Sequence, residues 1–202
     1  MRKFITTSFF FAVLTSVAAH ADVLLPFLVN TAGAPPTGYL DLQFNPQAGT
    51  LPETATITNF SGATYNSTLG ATLTGGATGG PIGSSNIVLS NSTPYNDAFE
   101  GVNYGKVISF TLDLSGPGIT NPHGNLSAGE FDFSMFDSNQ KPILTANVNG
   151  YALTVDVNAN GSVTVTPDTP NVTYLPEPAS LSLIGLPLLA LGGLQLLRRR
   201  LV

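Results

Sequence analysis

The chain has no cysteine, so no disulfide braces it and zinc sets that need thiolate are excluded. Tryptophan is also absent, and histidine occurs only at His20 and His123. A serine-histidine-acid triad outside the N-terminal stretch would need His123, which sits in the turn-like Asn121-Pro122-His123-Gly124-Asn125. No nucleophile elbow accompanies it. Positive charge is equally scarce. Between residues 22 and 178 only Lys106 and Lys141 are basic, against all twelve acidic residues, a formal charge of −10. That balance disfavours nucleic acid and anionic membrane surfaces as partners.

Long apolar runs occur only at the two ends. Met1-Arg2-Lys3 supplies a positive start, Phe4 to Ala18 an apolar stretch, and Ala19-His20-Ala21 a small-x-small cleavage site. This order predicts a signal peptide over 1–21, with Ala19 and Ala21 flanking His20 at the cleavage site. At the other end, residues 179–197 carry no charge and only Ser180, Ser182 and Gln195 as polar side chains. As a helix this run reaches about 28 Å, close to the thickness of a bilayer's hydrocarbon core. Arg198, Arg199 and Arg200 follow and orient the tail of residues 198–202 toward the cytoplasm. Leu175-Pro176-Glu177-Pro178-Ala179 precedes the run, and its prolines forbid a regular helix or strand through Glu177.

A Pro-Glu-Pro motif, one membrane-spanning run and a basic cluster, in that order, resemble the PEP-CTERM sorting signal of Gram-negative bacteria. The resemblance implies an exosortase-like membrane transpeptidase as partner. Pro176, Glu177 and Pro178 are then its recognition residues, and the inner membrane holds the chain transiently before it reaches the cell surface or extracellular polymer. Two other readings of the tail stand beside this one. Leu175 to Ala179 is superficially similar to the Leu-Pro-x-Thr-Gly sortase signal, although Pro178 and Ala179 replace its threonine and glycine. A permanent C-terminal anchor is the other, since a spanning helix tolerates Gly185, Pro187, Gly192 and Gly193. The exported part is itself similar to small uncharacterised PEP-CTERM proteins in its Leu25 to Asn30 start and its Tyr39 to Asn45 segment. That likeness implies no activity.

Between the ends the apolar period is two. Ile108, Phe110, Leu112 and Leu114 alternate with polar residues, as do Leu40, Leu42 and Phe44, then Phe131, Phe133 and Met135, then Leu153, Val155 and Val157. Such runs predict half-buried antiparallel strands. Asn158-Ala159-Asn160-Gly161 marks the turn of a hairpin returning through Ser162 to Thr166. Further strands are expected at 23–29, 55–60, 86–89 and 143–148, with a weaker candidate at 65–73. Gly75 to Ser85 reads as a glycine-rich loop, and 168–178 as a semi-extended spacer carrying the motif. The expected fold is all-β: one antiparallel β-sandwich over 22–167, jelly-roll-like in order, with a closed barrel as the alternative.

Two groups inside this domain carry candidate chemistry. Glu130 and Asp132 lie two apart on a strand, about 7 Å from each other, within the span of glycosidase carboxylate pairs. Alternation places both on a solvent face. The stretch from Tyr95 to Gly105 gathers Tyr95, Asp97, Glu100 and Tyr104 with two amides. Its oxygens could hold Ca²⁺ and its tyrosines could stack on sugar rings. The expected function is therefore an exported, non-enzymatic surface or matrix protein associated with exopolysaccharide. The alternative is a glycan- or calcium-dependent binding module.

Overall fold

A computed structural model describes residues 22–124 and 129–175. The expected signal peptide with Ala19 and Ala21, the Pro176-Glu177-Pro178 motif, the run 179–197 and Arg198 to Arg200 lie outside the described residues. Among the described residues, no helix is long and apolar enough to cross a membrane.

The architecture is all-β and antiparallel, as the alternation requires. The strands are β1 (Val23–Asn30), β2 (Thr37–Pro46), β3 (Thr54–Tyr65), β4 (Ala71–Thr74), β5 (Ala77–Gly79), β6 (Ile87–Ser90), β7 (Asp97–Ser115), β8 (Gly129–Asp137), β9 (Tyr151–Val157), β10 (Val163–Pro167) and β11 (Val172–Tyr174). A single helical turn, α1 (Pro117–Thr120), follows β7. All eleven strands are hydrogen-bonded into one sheet. Its main path runs β10-β9-β8-β2-β7-β3-β6-β5, and β10 and β5 end it without closing a barrel.

The sheet branches at β7, which is nineteen residues long. Its first part pairs with β2 on one side and with β4 and the end of β3 on the other, and its second part pairs with β1 on one side and the rest of β3 on the other. Two arms result, and they fold over each other in a sandwich-like way. Phe110 of the second arm meets Phe133 of the first with ring centroids 5.3 Å apart. Leu40, Leu42, Phe44, Leu112, Phe131 and Val155 fill one continuous apolar core with them. The hairpin at 158–161 forms as its turn residues require, with Gly161 at φ 77° and Val163 opposite Val157.

Three expectations are corrected. Residues 143–148 form no strand, because Thr145 and Asn147 turn their side chains onto nearby backbone and Leu144 adopts a positive φ. Such local bonds compete with sheet pairing. The glycine-rich stretch after Gly75 contains β5, held to β6. The third concerns the spacer. Its part from Asn171 to Leu175 is zipped onto β1, with Asn30 N–H donating to Asn171 O at 2.8 Å and Leu175 N–H to Pro26 O at 2.9 Å. Val172 is buried in the process and Phe27 packs on Tyr174.

If β11 is integral to the fold, Val172→Ala lowers unfolding free energy by about 1–2 kcal/mol, the transfer term of the lost methyls plus a small cavity. Urea denaturation monitored by tyrosine fluorescence checks this. An unchanged midpoint would return the segment to the status of a spacer.

Candidate functional site

The stretch from Tyr95 to Gly105 is mostly strand, and that separates its four candidate residues. Side chains alternate along β7, so Ala98, Glu100 and Val102 turn inward while Asp97 and Phe99 face the other way. Glu100 is 1 % exposed, and its carboxylate accepts a hydrogen bond from Ile82 N–H at 2.6 Å. Burial raises its pKa, partly offset by that bond. It anchors the turn after β5. The Tyr104 hydroxyl lies within hydrogen-bond reach of the carbonyls of Tyr39 and Phe136 and donates its one proton to the nearer, Tyr39 O, or to Phe136 O in turn. Its ring lies 2.9 Å from where a Cβ on Gly38 would stand, so only glycine fits there. Tyr104 is thus a brace between β7, β2 and β8. Tyr95 and Asp97 alone of the four reach the outer face.

That outer face belongs to the first arm and is polar for its whole width. One row of cross-strand partners runs Thr74, Asp97, Gln43, Asp132, Thr154 and Thr166 across β4, β7, β2, β8, β9 and β10. The row beside it holds Thr72, Phe99, Asp41, Ser134 and Tyr151. A third holds Asn45, Glu130, Asp156 and Thr164. Along β2 an amide ladder ties the rows together, Asn45 Nδ2 donating to Gln43 Oε1 at 3.1 Å and Gln43 Nε2 to Asp41 Oδ2 at 2.9 Å. Asn96, fully buried, fixes the entry of β7. It donates to the carbonyls of Phe44 and Thr93 and accepts from Gly76 N–H and Thr93 Oγ1.

A depression of about 430 Å³ opens on this face, lined by Asp41, Thr72, Tyr95, Asp97, Phe99, Phe136 and Gln140. Its aromatic wall is ordered by contact: Tyr39 stacks on Phe99 at 4.6 Å, and Phe136 tilts against Phe99 at 5.9 Å. Asp41 and Asp97 are 8 % and 7 % exposed. Their Oδ1 atoms are both buried and meet no donor. Asp97 is pushed up to about 8, first by burial and then by the adjacent Asp41 carboxyl. Tyr95, at the rim, is raised to about 12 by burial and by Asp97, Asp41 and Tyr151.

Glu130 and Asp132 do share a face, as their spacing predicts, but the solvated position expected for Asp132 is overturned. Asp132 is 2 % exposed, and the segment after β8 together with Asp168 closes over it. Thr154 Oγ1 lies 3.1 Å from Asp132 Oδ1 and 3.0 Å from Asp168 Oδ2. One hydroxyl proton serves only one of these acceptors at a time. Asp168 also accepts from Asn147 Nδ2 at 2.7 Å. The Asp132 carboxyl is pushed up to about 8, by burial first, then by Glu130 and Asp168, with the Thr154 bond opposing. Protonated, it donates to Thr154, which then donates to Asp168. His123 is exposed in its turn.

Among the described residues, no three histidine or acidic side chains converge in metal-holding geometry. Compared with protein-family models, curated proteins and solved structures, the chain matches none. Sequence reasoning missed Asp41 and Phe99 as members of the face, and Asn96 as the buried residue that fixes the entry of β7. The signal available was the alternation in β2, which puts Asp41 and Gln43 on one side without saying which strands flank them.

Stability should fall as pH rises. The unfolded chain releases the Asp132 proton near pH 4, whereas the folded chain holds it to about 8. The stabilising contribution is complete below the first value and gone above the second. Facing groups are Glu130 on β8, Thr154 on β9 and Asp168, with no cation among them. A melting temperature several degrees lower at pH 9 than at pH 5 is expected. Asp132→Asn, which keeps a donor toward Thr154, removes the Asp132 share of that slope in thermal melts, roughly half, because Asp97 is also held up to about 8. Separately, Glu100→Ala removes the acceptor of a buried N–H and costs about 1–3 kcal/mol by urea titration.

Proposed function

We propose that the chain is an exported protein of the cell surface or extracellular polymer, sorted through its PEP-CTERM-like tail by an exosortase-like transpeptidase. Its β-domain is non-enzymatic, serves a structural role and associates with exopolysaccharide. The reading rests on how the fold meets the tail. The last backbone bond of the sheet is made by Leu175, and Pro176 is the next residue. Cutting at or beyond the motif therefore removes nothing from the eleven strands. The signal peptide and the spanning run supply export and transient inner-membrane retention.

Nested pairing of β1 with β11, β2 with β8 and β3 with β6 favours a jelly-roll-like winding of the two arms. A domain without disulfides has to draw its extracellular stability from its core, and the wide apolar interior suits that demand.

Intact mass of surface material from the producing cell tests the sorting step. A polypeptide shortened at or beyond Pro176 is expected, and Glu177→Ala should leave most of the protein full-length in the inner membrane. Surface protein still ending at Val202 would overturn the reading.

A further inference from the structure

We propose that Asp41 and Asp97 are the paired carboxylate ligands of a Ca²⁺ site at the base of the depression on the first arm's outer face. The sheet register brings them together. Asp41 stands opposite Phe99 and Asp97 opposite Gln43, so the two aspartates are diagonal neighbours on adjacent strands. Both are more than nine-tenths buried. Each has one oxygen that no protein donor reaches, although buried carboxylate oxygens are ordinarily satisfied.

The surroundings offer acceptors and no cation. Asp41 Oδ2 is already held by Gln43 Nε2, which fixes the plane of that carboxylate and leaves Oδ1 as the unpaired atom. Thr72 and Gln140 add hydroxyl and amide oxygens to the lining, and neither lysine of the exported part lines the depression. Hard oxygen donors without nitrogen or sulfur suit Ca²⁺ or Mg²⁺. Calcium accepts six to eight oxygens in flexible geometry and takes water for the remainder. Two carboxylates, neutral oxygens and an open mouth fit that habit better than the strict octahedron of Mg²⁺. Calcium would also bridge the two buried carboxylates, attracting both at once. The site is independent of the sorting reading, since none of its residues belongs to the tail.

The test uses the full chain in detergent, freed of metal by chelator and titrated with CaCl₂ by calorimetry. Saturable binding below roughly 1 mM is expected, the range of extracellular calcium modules. Asp41→Asn and Asp97→Asn should each weaken it at least tenfold, and Mg²⁺ should bind at least tenfold more weakly than Ca²⁺. Each variant removes one of two crowded buried carboxyls and strips no cation of a partner, so melting temperatures should not fall. Asp113→Asn removes another acid with an unpaired buried oxygen, outside the depression, and should leave affinity within twofold. Tb³⁺ gives a readout on otherwise intact protein. Excited through tyrosine, its emission should drop by more than half in Tyr95→Phe and be displaced by Ca²⁺. Absence of any heat up to roughly 10 mM Ca²⁺, binding that survives both asparagine variants, or Tb³⁺ emission indifferent to Tyr95 would overturn the assignment.

Discussion

One strand carries more backbone hydrogen bonds to different partners than any other in the sheet: β7 is bonded to β1, β2, β3 and β4. A strand of nineteen residues has donors and acceptors along both edges, and burial obliges nearly all of them to be paired. No single neighbour in this chain is long enough to do so. The work is divided: β2 lines one edge of the first part and β4 with the end of β3 the other, while β1 and the rest of β3 flank the second part. That division makes two arms from one sheet, and the arms close because the inward side chains of both are apolar. Fixing the start of β7 therefore fixes both arms, and the fully satisfied Asn96 at its entry makes that start definite.

The same division accounts for the polar face. Once β7 places β2 beside it, β8 pairs with β2 and β9 with β8, and each strand adds its own outward residues to common rows. On any one strand these residues are unexceptional. Stacked across six strands they concentrate Asp41, Asp97, Glu130, Asp132 and Asp156, with Asp168 just after β10, and no lysine or arginine among them. The two carboxyl sets meet the resulting repulsion differently. Around Asp132 the acids are separated by Thr154 and held by Asn147, so a proton and a hydroxyl complete the network internally. Between Asp41 and Asp97 burial and the neighbouring carboxyl likewise raise Asp97, but no hydroxyl or amide intervenes on the unpaired side.

Much of the fold was legible in the sequence because a period of two states directly which residues are buried. The inward sets Leu40, Leu42, Phe44 and Phe131, Phe133, Met135 are all in the core, and Asn160-Gly161 turns where it should. Alternation is silent on which strands are neighbours, and the site is made by neighbours. Asp41 could be assigned a side, but its meeting with Asp97 depends on the β2 to β7 register, a contact between residues far apart in sequence. The stretch from Tyr95 to Gly105 misled for a related reason. Its amides, acids and glycines are loop residues by composition, yet Gly101 is needed in the strand because a Cβ there would stand 2.3 Å from that of Leu69. Glu100 is likewise a loop-like residue recruited inward by a single backbone donor. The spacer was misread because a proline-bounded segment of three strand residues has too little pattern to reveal a partner at the opposite end of the chain.

That partner matters for how the two ends of the β-domain relate. Strand β11 lies on β1, so the residues following the N-terminal segment and those preceding the C-terminal motif are neighbours on one edge of the second arm. The acidic rows and the aromatic depression belong to the first arm, reached only through β7. A chain held by its C-terminal run is therefore held through the arm that lacks the depression. Cutting beyond Leu175 leaves the β11 to β1 pairing intact, and with it the Val172 and Tyr174 contacts that close the core at that edge. On the proposed reading, processing and any ligand chemistry are separated by the fold itself, so that a change in one need not be transmitted to the other unless it disturbs the strand they share.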